Sequence, residues 1–348
     1  MHTTHVPSIV GVGTMQTGLL EAGLKRGRRT YQDQPARVTW NGWSYLVGPG
    51  VERYAKPIER MDLQRLSGSV EVQALTYKTL YDLLRDVEAR RVALMVGLPV
   101  EVMADEALAK ATRDGIRSWA EGEHEITVDG ITLAFTVTRV QVMAQPAGTF
   151  FAWGFDDQGR WARSAAELHA LIAVCDIGFN TLDLFTVQGG RIQGRFTGGD
   201  SLGMRRAAEL IIQSVRRDHG FSLSKHEADA LLRERNPHYL TAGELVDLSA
   251  VVNQARVTNT SSILSFLEEK WGNGRQFGHV MFTGGGAEAL RDDLLSHYPH
   301  GYVMPNAVMA NATGLARAGA RALHKYAPCV VGLDPGYGGF KAVLLGLE

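Results

Sequence analysis

The sequence is poor in the features that mark several large classes of protein. It has two cysteines in 348 residues, which excludes a disulfide framework and the paired spacing of a zinc site. Lys and Arg number 36 against 37 Asp and Glu, so a basic excess for binding nucleic acid is lacking. No apolar run approaches the roughly 18 residues of a membrane span, and residues 1–5 show no signal pattern. These absences predict a cytoplasmic protein that binds neither nucleic acid nor a membrane.

The common linear nucleotide-binding motifs are also missing. There is no Gly-x-x-x-x-Gly-Lys-Ser/Thr loop, and Gly11-Val-Gly13 lacks the third glycine of a dinucleotide fingerprint. The 11 histidines show no metal spacing. What the chain does have is a large apolar share of 45%, enough for packed domains, and 39 glycines, about 11% against a usual 7%. Many glycines cluster in a few short segments, where we expect the chemistry to lie.

Strand and helix patterns alternate along much of the chain, which predicts an α/β architecture. Asn41-Gly42 and Asp129-Gly130, each between apolar runs, predict hairpins over 38–47 and 126–135. Residues 200–272 favour helices instead, with Ser224 and Thr241 as candidate N-caps because each is followed three residues later by a glutamate. The remaining predicted elements are helices over 70–88, 105–120, 202–219, 224–235, 242–271, 287–297 and 306–326, and strands over 91–96, 277–282, 329–334 and 340–345.

Two segments repeat one pattern. Residues 330–345 and 173–187 each contain an apolar strand, an aspartate at its end (Asp334, Asp176), a glycine two residues later, and a second apolar strand. A buried aspartate needs a balancing charge, for which Mg²⁺ with its waters is suited, and glycines let backbone N–H groups approach phosphate oxygens. One such hairpin could be an ordinary turn. Two that face each other would hold a nucleoside triphosphate from both sides.

A third glycine cluster follows the apolar strand 280–283. Gly284, Gly285 and Gly286 open a predicted helix, where exposed backbone could meet a flat or phosphorylated ligand. Alone, this cluster is equally compatible with a flexible turn.

Together these segments resemble the actin-like ATPases. Asp334-x-Gly-x-Gly-x-x-Lys341 is similar to the phosphate 1 motif of actin, and Asp176-x-Gly-x-x-Thr-x-Asp183 to phosphate 2 in plasmid-segregation actins of the ParM type. Residues 283–287 resemble the adenosine motif, and 306–314 the helix near the family's C-terminus. Residues 6–11 resemble the segment that follows the phosphate 1 hairpin in actins. The similarities span nearly the whole chain.

The resemblance implies a role for each site residue. Asp334 and Asp176 would hold Mg²⁺, mainly through waters, Lys341 would contact the β- and γ-phosphates, and Gln145 would orient the attacking water. The other residues that it assigns to ATP or ADP binding are Gly336, Tyr337, Gly338, Gly339, Phe340, Gly178, Phe179, Asn180, Thr181, Asp183, Gly284, Gly285 and Gly286, with Arg233 and Glu234 on the helix that contacts adenosine.

The resemblance further implies an actin-like two-domain fold with duplicated ribonuclease-H-like sheets and the nucleotide between them. Domain I would comprise 1–145 and 316–348, with 13–65 as its small subdomain; domain II would comprise 146–315, with a helical small subdomain over 199–276. The phosphate 1 hairpin opens the chain in actins but comes last here, which predicts a circular permutation. Strand 330–333 should then join the first sheet beside the strands of 91–142, with Lys341 facing the cleft. The alternative is a hairpin appended to the surface.

The function implied is a Mg²⁺-dependent ATPase that polymerises with itself into cytoskeletal or plasmid-segregation filaments, with an adaptor protein as a candidate second partner. A small-molecule kinase of the same superfamily is an alternative, although no distinctive carboxylate base stands out. A non-polymerising ATP-binding scaffold is another, although the intact Asp334, Asp176, Lys341 and Gln145 argue against a degenerate site. A chaperone of the superfamily would need a peptide-binding domain for which the sequence leaves no length. Cys175 and Cys329 fit buried structural thiols in apolar strands better than reactive ones.

Overall fold

The computed structural model describes residues 1–13, 34–58, 62–234 and 236–347. The strands of these residues are β1 (His2–Pro7), β2 (Val10–Gly11), β3 (Ala36–Trp40), β4 (Trp43–Val47), β5 (Arg91–Leu98), β6 (Gly122–Val128), β7 (Ile131–Ala144), β8 (Leu171–Ile177), β9 (Leu182–Gln188), β10 (Arg191–Ile192), β11 (Gly198–Asp200), β12 (His238–Thr241), β13 (Glu244–Asp247), β14 (His279–Thr283), β15 (Tyr302–Val303), β16 (Cys329–Pro335) and β17 (Gly339–Gly346). The helices are α1 (Val70–Leu84), α2 (Val100–Ala104), α3 (Glu106–Ala120), α4 (Gln145–Gly154), α5 (Ala165–His169), α6 (Arg205–His219), α7 (Lys225–Arg233), α8 (Ser249–Trp271), α9 (Gly284–Ala289), α10 (Arg291–His297) and α11 (Ala310–Leu323).

The first large sheet has the strand order β1-β17-β16-β5-β7-β6-β3-β4-β2 within the described residues. Although β16 and β17 come last in the chain, they lie inside this sheet. β16 runs parallel to β5, with Val331 opposite Leu94, and β17 lies between β16 and β1. The predicted place of strand 330–333 is therefore confirmed, and the alternative of a hairpin appended to the surface is wrong.

The second sheet has the order β10-β9-β8-β14-β15, with β11 also paired to β9. Its central hairpin β8–β9 pairs in parallel with β14 through β8, just as β16–β17 pairs in parallel with β5 through β16. The repeated sequence pattern thus occupies equivalent positions in the two sheets. Each sheet has its own apolar core.

Helices α4 and α11 connect the two sheets. α4 contacts β5 of the first sheet and β8 of the second, while α11 contacts α4 and β16. The two helices meet at Gly148 and Gly314, where a methyl group on Gly314 would overlap the carbonyl oxygen of Gly148. The backbones therefore approach more closely than any residue with a side chain would permit.

Both predicted hairpin turns are confirmed. Asn41 and Gly42 have φ values of 48° and 78°, and Asp129 and Gly130 have 50° and 85°, so each turn is a pair of left-handed residues. The capping box at Ser224 is also confirmed, since Ser224 and Glu227 each accept from the other's backbone N–H.

The N-cap predicted at Thr241 is wrong. Thr241 and Glu244 are paired across the hairpin β12–β13, whose turn is Ala242-Gly243. The strand pattern prevails because alternate residues, such as Tyr239, pack on the core while Leu240 faces outward. The long helix therefore begins at Ser249 instead of residue 242.

Other boundaries shift by less. The helix predicted over 287–297 is two helices, α9 and α10, and the one predicted over 306–326 begins at Ala310. Much of the predicted small subdomain 13–65 lies outside the described residues, as does Arg235. Among the helices that are described, none combines the length and the apolar character needed to span a membrane.

Candidate nucleotide-binding site

The ends of β8 and β16 open into a cavity of about 590 Å³, within the 300–1,000 Å³ typical of small-molecule sites. The turns that follow these strands line it from opposite sides. A methyl group on Gly338 of one turn would lie 3.1 Å from Cβ of Phe179 in the other. The two hairpins therefore face each other, as the sequence repeat predicts.

Asp334 lies at the cavity end of β16 and is buried. The Gln145 Nε2 amide donates a hydrogen bond of 2.8 Å to its Oδ1, and the Lys341 Nζ lies 3.4 Å from its Oδ2. Gln145 is the first residue of α4, directly after the end of β7. Its position at the helix start directs its side chain toward the carboxylate.

Asp176 occupies the matching place on β8 and has a different amide partner. The Asn311 Nδ2 donates to Asp176 Oδ2 at 2.6 Å, and the Thr149 Oγ1 donates to Asn311 Oδ1 at 2.7 Å. All three side chains are buried. Sequence reasoning placed Asn311 in a family-like helix but gave it no role, and it did not identify Thr149.

Two carboxyl groups of the β8–β9 hairpin, those of Asp176 and Asp183, have raised pKa values. Burial, with smaller contributions from Asp334 and Asp183, raises the pKa of Asp176 to about 7. Burial likewise raises the pKa of Asp183 to about 6, although Asp183 accepts hydrogen bonds from the Val100 N–H at 2.9 Å and the Thr181 hydroxyl at 2.8 Å. Both carboxylates would be favoured as anions by a cation in the cleft.

The glycines after β14 form the first turn of α9 on the far side of the cavity. Gly284 has a φ of 84°, and a methyl group there would overlap the Asp176 carboxylate. A methyl group on Gly285 would lie 3.0 Å from the Arg233 guanidinium, which also lines the cavity and pairs with Asp229. Backbone is thereby exposed to the cavity between an aspartate and an arginine.

Most of the predicted site residues are brought together. Those that line the cavity are Gln145, Asp176, Gly178, Phe179, Asn180, Thr181, Arg233, Gly284, Gly285, Gly286, Asp334, Gly336, Tyr337, Gly338, Gly339 and Lys341. Three do not: Phe340 is buried in the first core, Asp183 lies behind Thr181, and Glu234 is exposed at the end of α7.

The cavity also has lining residues that sequence reasoning missed, among them His5 and His226. His5 lies opposite Lys341 in the β1–β17 ladder. Burial, and then Lys341 and Arg233, lower the pKa of this imidazole. No local pattern marks His5, because its neighbours belong to the other end of the chain.

Two family models match the chain. The N-terminal domain of actin-like proteins matches residues 2–148, and the C-terminal domain of archaeal MreB-like actin homologues matches residues 174–296. The hairpin β16–β17 lies outside both matches. A search of curated proteins found no sequence that matches this chain.

Solved actin homologues share the fold. Apo pSK41 ParM has 17% identity and a TM-score of 0.64 over 92% of each chain. A 15-stranded ParM filament from Clostridium botulinum has 19% identity and a TM-score of 0.70, over 91% of this chain and 92% of that one. The archaeal actin homologue Ta0583 in complex with ADP has 17% identity and a TM-score of 0.64, over 82% and 89%. The fold is thus α/β with mixed sheets and actin-like, and each of the two family models that match parts of the chain describes actin homologues.

Proposed function

We propose that the cleft binds ATP with Mg²⁺ and hydrolyses it, and that the bound nucleotide controls assembly of the chain into filaments. The observation that carries the proposal is the pair of facing glycine-turn hairpins, each with a buried aspartate held by an amide side chain. The solved ADP complex of Ta0583 supports nucleotide binding by this fold.

The residues present fit Mg²⁺ bound together with phosphates. In the described part of the chain no group of three or more His, Cys, Asp or Glu could hold a metal ion alone. Mg²⁺ usually needs only one or two carboxylates, because it keeps several waters and shares the phosphates. Asp176 and Asp334 would hold it from the two sides of the cleft, and it would supply charge neutralisation for the triphosphate.

The chain's own side chains supply binding and orientation. The Lys341 ammonium lies beside the phosphate 1 turn and would pair with phosphate oxygens. Gln145 is anchored through its Nε2 on Asp334, which leaves its Oε1 free to accept a hydrogen bond from the O–H whose proton is to be removed from a water. An amide is too weak a base to remove that proton, so the contribution of Gln145 is to position the water.

ATP hydrolysis tests this assignment. Asp176→Ala should abolish Mg²⁺-dependent release of phosphate. Gln145→Ala should lower kcat by about 10–100-fold and change the Kd for Mg-ATP by less than about threefold, because a residue that positions water acts mainly in the transition state. Equal loss of binding and turnover in Gln145→Ala would contradict the role given to Gln145.

Filament assembly tests the second half of the proposal. Sedimentation at tens of micromolar protein should pellet the wild-type chain with Mg-ATP and leave it soluble without nucleotide. Since fold alone does not determine function, the decisive contrary result is a chain that stays monomeric and transfers phosphate to a small molecule. The proposal places the protein in the cytoplasm, with an adaptor protein as a further partner.

We also propose that the two sheets are the cores of two domains and that the chain order is circularly permuted. His2 lies opposite Leu344 in the β1–β17 ladder, so a short loop could join the end of β17 to the start of β1. A rearranged chain that starts at Pro328, joins residue 348 to His2 through such a loop, and ends at Ala327 should fold and bind Mg-ATP with unchanged affinity. A rearranged chain that does not fold would contradict the permutation.

A further inference from the structure

The turn of the β16–β17 hairpin carries a single large side chain. Residues 335–338 read Pro-Gly-Tyr-Gly, so Tyr337 is the one side chain through which neighbouring elements can hold the turn laterally. The backbone of the turn has a contact of its own, because the Ser8 hydroxyl donates to the Gly336 carbonyl oxygen at 2.6 Å. Tyr337 is 9% exposed and lines the cavity. Whatever fixes this ring also fixes the backbone that faces the ligand.

Arg65 covers the ring. Its guanidinium carbon lies 4.0 Å from the Tyr337 ring centroid, and the residue is 5% exposed. Its Nε and Nη2 atoms have no hydrogen-bond partner in the part of the chain that the structure describes. A buried cation with unpaired donors is costly, and contact with an aromatic face offsets part of that cost. Among the described residues, the side chain is therefore held by Tyr337 and not by a salt bridge.

The backbone of Arg65 is fixed from the other side. It belongs to the short 3₁₀ helix Leu63–Ser67, in which the Asp62 carboxylate accepts from the Arg65 N–H at 3.1 Å. The Trp119 indole donates to the Ser67 carbonyl at 3.1 Å, which anchors this helix on α3. The buried Glu71 carboxylate, whose oxygens also have no hydrogen-bond partner among the described residues, favours the charged form of the arginine.

We infer that Arg65 is a positioning residue for nucleotide binding, which acts through the ring of Tyr337 to hold the glycine turn against the cleft. The effect of Arg65 on nucleotide affinity rests on the proposed ATP site. The claim that Arg65 holds the glycine turn concerns the nucleotide-free protein and does not depend on that site. Arg65 thereby links the phosphate turn to the segment that precedes α1, a connection that no local motif contains.

Amide exchange and nucleotide titration test the inference separately. In the nucleotide-free chain, Arg65→Met should speed exchange at Gly336, Tyr337, Gly338 and Gly339 by about tenfold, equivalent to about 1.4 kcal/mol. It should also raise the Kd for Mg-ATP by about tenfold. Arg65→Lys keeps the charge but not the planar group, so it should give an intermediate effect and serves if Arg65→Met does not fold. Combined with Tyr337→Leu, Arg65→Met should add no further loss of affinity, since both variants break one contact.

Arg139→Met is the matched control, because Arg139 lies over the Tyr326 ring at 5.7 Å, away from the cavity, and its Nε is likewise buried without a partner. It should leave both exchange at the turn and Mg-ATP affinity unchanged. Exchange at 336–339 that is the same in Arg65→Met, Arg65→Lys and wild type overturns the inference. A wild-type chain that does not bind Mg-ATP instead overturns the proposed function, and the exchange experiment still decides whether Arg65 holds the turn.

Discussion

In the hairpin β16–β17, Asp334 lies opposite Lys341, whereas in the hairpin β8–β9 the matching Asp176 lies opposite Asp183. The spacing along the chain is seven residues in both. The hairpin β16–β17 thus balances the charge of its aspartate with a lysine, whereas the hairpin β8–β9 brings two acidic groups together. Burial raises the pKa of both, Asp176 to about 7 and Asp183 to about 6.

The difference shows that one backbone pattern can serve two tasks. In the proposed site, a turn of glycines after a buried aspartate would set the geometry for a phosphate-bearing ligand in both sheets. The residue opposite the aspartate then decides whether the hairpin offers a cation to the ligand or a second anion that a metal ion can offset. This difference between Lys341 and Asp183 can be tested by substitutions that give the two hairpins the same residue types, and by substitutions that remove the partners of one aspartate at a time.

The largest effect should come from Lys341→Asp, which gives both hairpins an acidic pair. A favourable contact with phosphate becomes repulsion, so the Kd for Mg-ATP should rise at least about 1,000-fold, or about 4 kcal/mol. Fluorescence titration with a labelled ATP measures it. Lys110→Asp changes the net charge equally on the exposed face of α3 and should leave the affinity unchanged. Equal losses in both variants would mean that net charge, not the hairpin, sets the affinity.

Asp183→Asn should change how stability depends on pH. Because the pKa of Asp183 is raised from 3.8 to about 6, the folded state favours the protonated form. The contribution of Asp183 is therefore fully present below pH about 4 and is lost as pH rises through about 6, on the order of 3 kcal/mol. Urea unfolding of the nucleotide-free chain from pH 4 to 8 should show a flatter dependence for Asp183→Asn. The exposed Asp200→Asn is the control, and an equal slope in all three proteins would contradict the expectation.

A smaller effect is expected from Asn311→Ala, which removes the amide that holds Asp176. The aspartate keeps its place but loses its orientation, so kcat for ATP hydrolysis should fall by about tenfold. Thr149→Val removes the hydroxyl that holds Asn311 and should cost less, because the amide itself remains. Steady-state kinetics of both variants measure the difference. A larger loss in Thr149→Val would mean that the hydroxyl has a separate role.

The smallest effects should separate Gly336 from Gly178, which follow their aspartates at the same distance. A methyl group on Gly336 would lie 2.9 Å from the Lys341 Nζ and from the Gly339 carbonyl oxygen. On Gly178 it would lie 3.2 Å from the Thr181 carbonyl oxygen. The Kd for Mg-ATP should rise about fivefold in Gly336→Ala and about twofold in Gly178→Ala. The reverse order would show that displacement of the lysine does not limit binding.

Local patterns predicted what neighbouring residues determine. The left-handed turn at Asn41-Gly42 and the capping box at Ser224 depend on residues a few positions apart, so their sequence signals were sufficient. Thr241 and Glu244 show the limit, since the same spacing suits a helix start and a two-residue hairpin, and packing of the alternate residues decided between them.

Contacts across the fold were not predictable in this way. Asn311 and Asp176 are separated by 135 residues, and Gln145 and Asp334 by 189. The sequence located Gln145 only through its resemblance to actins, and it gave no role to Asn311 or Arg65. Their partners become evident only when the sheets are assembled, because side chains that orient other side chains carry no spacing rule of their own.

The glycine contact between α4 and α11 has a mechanical consequence. α4 begins with the amide that holds Asp334, and α11 carries the amide that holds Asp176. With backbone against backbone at Gly148 and Gly314, no side chain separates the two helices at that point. A displacement of one helix there would therefore be passed directly to the other. The alignment of the two buried acids would then change together, because each is held by an amide on one of these helices.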